Sequence, residues 1–387
     1  MSYRKPILFA TGSYQSLRDA MMSSGLFEAG KLARSIAKDG TLQTEDKPFP
    51  DGERYRCLQS DVEDREVILL GGTIDDRETM ELFDLGNMLV DNFAGRLKLV
   101  VPYFGYSTQE RAVIQGEATP AKYRARLLSS IPKAPGGNRI YLVDLHSEGI
   151  PYYFEGNLVA RHVYAKPVVI EAAQQLARHC QTEEVADLVV DPAAAADKSG
   201  EGPLAKVRVI TCSTPDVDQA LKKAKDRKPE EVEVDLDQFC LASTDAGRAK
   251  WVESLARDMA ALKLPVHPAF IIKRRTGGAT TEVLDISANV EGQIVIIYDD
   301  MIRTGGSLIG AADAYLKKGA KAVAAISTHG ILPLDAVKRI EDSGKFARII
   351  VTDSHPRALE LASDFLNVVS ISSLLTSTLV KGKAKRT

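Results

Sequence analysis

Short β-branched runs recur along the chain, each followed by a helical pattern, and this alternation restricts the fold more than any other feature. The runs are Pro6–Ala10, Glu66–Leu70, Leu97–Pro102, Arg139–Val143, Val207–Thr211, Ala269–Lys273, Gln293–Tyr298, Lys321–Ser327 and Ala347–Thr352. A run such as IVIIY has no polar face, so it suits a strand covered on both sides. Alternation with helices suits parallel βαβ units. The expected fold class is therefore α/β, with two mainly parallel sheets flanked by helices. At 387 residues the chain is long enough for two domains. We place the boundary near residue 160, giving domains 1–160 and 161–387.

Composition removes several function classes. Lys plus Arg is 50 against 52 Asp plus Glu, a net charge of −2, which gives no electrostatic case for nucleic acid or an anionic membrane. No stretch approaches the roughly 20 apolar residues of a membrane span, and the first residues lack a signal-like apolar core. Cysteines 57, 180, 212 and 240 show no paired spacing and read as free thiols in a reducing, cytoplasmic compartment. More than half of residues 215–238 are charged, with weak apolar periodicity. That stretch reads as a solvated insertion within about 183–238.

The clearest chemistry lies in IVIIYDDMIRTGGSLIGAADAYLKKGAK. Strand Gln293–Tyr298 runs into Asp299 and Asp300, then Arg303, Thr304, Gly305, Gly306 and Ser307, then a helix ending before Gly319. Glycines let backbone approach a ligand closely. Amides at a helix start suit phosphate, and Thr304 and Ser307 add hydroxyl donors. Two carboxylates beside that cradle would repel phosphate, so they fit ribose hydroxyls or a magnesium ion. A capped turn with two solvated aspartates is the plainer alternative.

This segment resembles the phosphoribosyl-pyrophosphate (PRPP) loop shared by phosphoribosyltransferases and ribose-phosphate pyrophosphokinases. Other segments select the second group. PFPDGERY at 48–55 resembles its adenine-site loop, and VPYFGYSTQER at 101–111 its ATP-phosphate segment. IYLVDLHSEGIPYYF at 140–154 resembles its Asp-Leu-His magnesium segment. IIKRRTGGATTEVLDISANVEG at 271–292 resembles its catalytic flexible loop. FPDG, QGEATPAKYRARLLSSIP, TGGSLIGA and STHGILP look more like the plant-type class, whereas KRR looks like the common bacterial and animal class.

The resemblance implies two phosphoribosyltransferase-like domains and the reaction of ATP with ribose 5-phosphate to give PRPP and AMP. It implies Lys273 and Arg275 as catalytic cations. Phe49, Asp51, Glu53, Gln109 and His146 would bind ATP. His146 and Asp245 would hold Mg2+, and Asp299, Asp300 and Arg303–Ser307 would bind ribose 5-phosphate. It also implies a homo-oligomer, with the Phe49–Glu53 loop reaching a neighbouring subunit's active site. Four positions depart from the family pattern. Thr108 replaces an arginine, and Arg303 replaces the third acid of the PRPP loop. In ASTDAGRA, Thr244 and Arg248 replace a Pro and a Gly. These departures keep open a non-catalytic regulatory subunit. A PRPP-consuming phosphoribosyltransferase would explain the 295–307 loop but not the upstream motifs.

Overall fold

The computed structural model describes residues 4–182, 188–190, 207–211, 230–232, 239–262, 266–277 and 280–380. The first sheet has six strands in the order Leu158–Val163, Asn138–Val143, Arg96–Val101, Glu66–Leu70, Ile7–Ala10 and Glu28–Ala29. Every pairing in it is parallel. The second has seven, ordered Thr280–Ile286, His267–Gly277, Phe239–Ser243, Ile294–Ile302, Ala322–Gly330, Ile349–Thr352 and Leu366–Val369. Its one antiparallel pair is the hairpin of the first two strands.

The apolar runs are buried on both faces, as their lack of alternation requires. In Ile294–Ile302, Val295 and Ile297 enter one core, while Ile294, Ile296 and Tyr298 enter the other. In Ile7–Ala10, Ile7 and Phe9 face one side, and Leu8 and Ala10 the other. Successive side chains of a strand point to opposite faces, so only an all-apolar sequence fits such a layer. Leu158–Val163, Phe239–Ser243 and Leu366–Val369 are further parallel strands that the apolar runs did not mark.

One run behaves differently from expectation. Val207–Thr211 is a strand, but it joins neither parallel sheet; it pairs antiparallel with Leu188–Val190 and with Glu230–Val232. Short segments close in sequence satisfy each other's backbone groups locally, without a crossover helix. Of the charged stretch 215–238, only Glu230–Val232 falls among the described residues.

The two halves exchange helices. Strand Leu158–Val163 spans the expected boundary and belongs to the first sheet. The following helix, Lys166–Thr182, packs Val169, Ala172, Ala173 and Leu176 onto the second. In return, helix Ser372–Val380 lays Leu375 and Leu379 onto the first sheet, beside Leu17 and Met21 of helix Gln15–Met22. Lys98, buried in the sheet's middle strand, fastens this exchange. Its Nζ donates to Glu66 Oε1 at 2.9 Å and to the Leu379 carbonyl at 3.3 Å. A lysine is tolerated at such depth only when paired.

The sheets meet near their carboxyl ends through buried polar contacts. Asp144 directly follows strand Asn138–Val143 and adopts a left-handed φ of 35°. Its Oδ1 accepts from the Ala165 amide at 2.9 Å, and its Oδ2 from Thr328 Oγ1 at 2.6 Å. His329 Nε2 donates to the Asp144 carbonyl at 3.0 Å, while Nδ1 lies 2.8 Å from Ser354 Oγ. Burial pushes the pKa of His329 down, which keeps the ring neutral at this seam. Tyr14 OH donates to the Ser354 carbonyl at 3.0 Å, tying the first helix to the same point. His329 and the Thr352–Pro356 turn therefore join the halves.

Candidate active site

At the carboxyl ends of open α/β sheets, loops gather into a crevice suited to ligands. Here the crevice is a cavity of about 530 Å³ between the halves. Three segments build most of it: the turn after Phe239–Ser243, the end of Ile294–Ile302 with the loop that follows, and His146 from the first half. Thr108 closes one edge.

The glycine loop has the form its sequence demands. Gly305 has a φ of 78° and caps helix Gly306–Lys317. A Cβ there would come within 2.6 Å of Ile340 Cγ1, so both backbone and space require glycine. Arg303, Thr304, Gly306 and Ser307 stay exposed at the cavity's lip. The first-turn amides of that helix have no intrahelical acceptors and carry the positive end of its dipole. This is a cradle for an anion.

The acidic pair lies deeper. The end of the strand holds Asp299 and Asp300 side by side, and Asp300 donates its amide to Asp299 Oδ1 at 3.0 Å. Thr244 Oγ1 donates to Asp299 Oδ2 at 3.1 Å. Arg248 Nη2 lies 2.6 Å from Asp300 Oδ2, and its Nε lies 4.0 Å from Asp299 Oδ1. His146 Nδ1 is 2.8 Å from the same Asp300 oxygen and 3.0 Å from Arg248 Nη2. That nitrogen serves one partner at a time. Protonated, it donates to Asp300; unprotonated, it accepts from Arg248.

Burial and proximity drive the two carboxylates apart in acidity. Desolvation, followed by the neighbouring charge of Asp300, pushes Asp299 up to about 7. Burial pushes Asp300 up as well, but His146 and Arg248 outweigh it and hold the group at about 2. His146 is raised in turn, mainly by its hydrogen bond to Asp300. Like charges in one desolvated site cannot both ionise freely. The pair therefore has an unmet demand for positive charge.

The cavity gathers His146, Asp245, Asp299, Asp300 and Arg303–Ser307 from the expected site. Asp245 caps a short 3-10 turn, accepting from the Gly247 amide at 2.8 Å. Phe49, Asp51 and Glu53 are exposed elsewhere on the first half, in a tight turn where Gly52 has a φ of 93° and the Phe49 amide donates to the Glu53 carbonyl. Gln109 is exposed beside Thr108 and does not line the cavity. Lys273 and Arg275 lie in strand His267–Gly277, which pairs with Thr280–Ile286; their side chains lie outside the described residues. Sequence reasoning did not assign roles to Thr244 and Arg248, although both stood out as departures, and both bond directly to the acidic pair.

A family model described as the N-terminal domain of ribose phosphate pyrophosphokinase matches residues 26–131. A second, a phosphoribosyl synthetase-associated domain, matches 263–385. A ribose-phosphate pyrophosphokinase of Maricaulis maris is 30% identical over 328 residues, covering 84% of this chain and 84% of its own. One from Prochlorococcus marinus is 28% identical over 354 residues, covering 89% and 85%. The phosphoribosylpyrophosphate synthetase from Mycobacterium smegmatis shares the fold, with a TM-score of 0.68 at 22% identity over 97% of this chain and 98% of that one.

Proposed function

Because the chain belongs to the ribose-phosphate pyrophosphokinase family, we infer that its cleft transfers the pyrophosphoryl group of ATP to the 1-hydroxyl of ribose 5-phosphate, giving PRPP and AMP. One observation supports this reading above the rest. A helix-start cradle and a buried acidic pair open into the same cavity. The cradle suits the 5-phosphate, and the carboxylates suit the ribose hydroxyls. Thr304, Gly305, Gly306 and Ser307 take the phosphate through backbone and hydroxyl donors, with Arg303 at the lip adding charge. Asp299 and Asp300 orient the sugar.

The donor set also fits Mg2+. This ion prefers oxygen ligands and is commonly held by one or two carboxylates together with substrate phosphates. Asp299 and Asp300 offer such carboxylates, with Asp245 and His146 at the rim of the same cavity. When bound, the ion neutralises charge on the transferring phosphates. His146 positions Asp300 through Nδ1 and keeps it ionised. Lys273 and Arg275 supply the mobile cations that meet the transferring charge, and such contacts act mainly in the transition state.

Phe49, with Asp51 and Glu53, serves adenine in a neighbouring subunit, and Gln109 contacts the nucleotide from Thr108's side of the cleft. The exposure of the Phe49–Glu53 turn, away from its own chain's cavity, supports a shared site. No described helix is long and apolar enough to cross a membrane; together with the cysteine usage this supports a cytoplasmic enzyme.

Purified protein with ATP, Mg2+ and ribose 5-phosphate is expected to form AMP and PRPP in equal amounts, read by chromatography. Silence alone, with stimulation of a separate active enzyme, would instead indicate a regulatory subunit. The shared site has its own test. Phe49→Ala and Lys273→Ala are each expected to be nearly inactive, and mixing them after subunit exchange should restore activity, because some hybrid sites carry both intact residues. An active monomer by sedimentation would rule this arrangement out.

A further inference from the structure

The two departures in ASTDAGRA converge on the same carboxylates. Thr244 satisfies Asp299, and Arg248 reaches Asp300, Asp299 and His146 together. Arg248 is itself largely buried, and its Nη2 also lies 3.3 Å from the His146 carbonyl, so its guanidinium is held from several sides. It sits against the carboxylate oxygens that a divalent cation would need, and two cations cannot share that face.

We propose that Arg248 is a resident counter-ion of the acidic pair, which a divalent cation must displace and which then turns to the incoming phosphates. This deepens the functional reading above and rests on a cation working at Asp299 and Asp300. The guanidinium offsets part of the pair's charge before any cation binds and so opposes premature cation binding. Once released, its planar fork suits phosphate oxygens, which a carboxylate-bound cation brings alongside. Arg248 thereby couples cation entry to nucleotide entry and sets how much free cation the enzyme requires.

The test is Mn2+ binding to the full chain without nucleotide, followed by loss of the free-ion electron paramagnetic resonance signal. Arg248→Gln is expected to bind Mn2+ roughly ten- to a hundredfold more tightly than the parent, the range for one charge-assisted contact removed as a competitor. Adding Asp300→Asn to Arg248→Gln should abolish that gain. Arg248→Met serves as a second neutral variant if Arg248→Gln does not fold, as judged by circular dichroism. Equal or weaker binding in the neutral variants, still lost on Asp300→Asn, would overturn the role of Arg248 and leave the acidic pair as the cation site. Binding indifferent to Asp300→Asn in every background would overturn both readings.

Discussion

Asp300→Ala is expected to lower kcat for PRPP formation by about a thousandfold, the upper range for loss of one preorganised electrostatic contact. Asp300 is the partner that keeps both Arg248 and His146 in place, so its loss disturbs two further groups at once. The fold should survive, since Arg248 can pass to Asp299, already 4.0 Å away. Linkage supplies an independent readout in the ligand-free protein. Asp299 is raised to about 7, so the folded chain holds a proton that the unfolded chain has lost. Its contribution to stability is full below the ordinary carboxylate range and is lost as pH rises towards 7. Asp300, lowered to about 2, acts oppositely, and its contribution is lost as pH falls through that value. Asp300→Ala removes a repulsion that raises Asp299, so the decline in stability between about pH 4 and 7 should flatten. Denaturant titrations across that range measure it. A mutant with parental kcat would remove Asp300 from the reaction.

The second large effect concerns stability. Asp144→Ala should cost about 3 kcal/mol, because it leaves the Ala165 amide and Thr328 hydroxyl without their acceptor in a buried seam. Alanine must also hold the left-handed backbone at this position, which few residues do willingly. Asp144→Asn keeps one side-chain acceptor and tolerates that conformation, so it should recover roughly half the loss. Chemical unfolding followed separately in each half provides the check. Unchanged midpoints for Asp144→Ala would show that the seam contributes little to holding the halves together.

How much of this was readable in advance depended on distance along the chain. The IVIIY strand, the Gly305 turn and the helix ending before Gly319 are written in adjacent residues, where periodicity and backbone freedom act directly. FCLAS and LVARHV were passed over because each is short and carries small or polar residues, and only their neighbours in the sheet make them strands. Arg248 as a partner of Asp300 and His146 could not be read locally. The three lie far apart in sequence and meet only when both sheets are complete. A motif resemblance sets Arg248 apart, but what it touches is decided only by the folded chain. The exchange of helices was equally hidden, since SSLLTSTLV is apolar enough for either sheet.

That exchange has a consequence for how the molecule comes into being. Leu8, Ala10, Ile68, Leu70 and Val100 form the face of a sheet drawn entirely from the early part of the chain, yet Leu375 and Leu379 cover it. On the ribosome, domains ordinarily close one after another from the amino end. Here the sheet made first is finished last: Leu17 and Met21 cover part of its apolar face early, and the rest waits for Leu375 and Leu379. A chain that stops before Ser372 would leave the part of that face under Leu375 and Leu379 open to water.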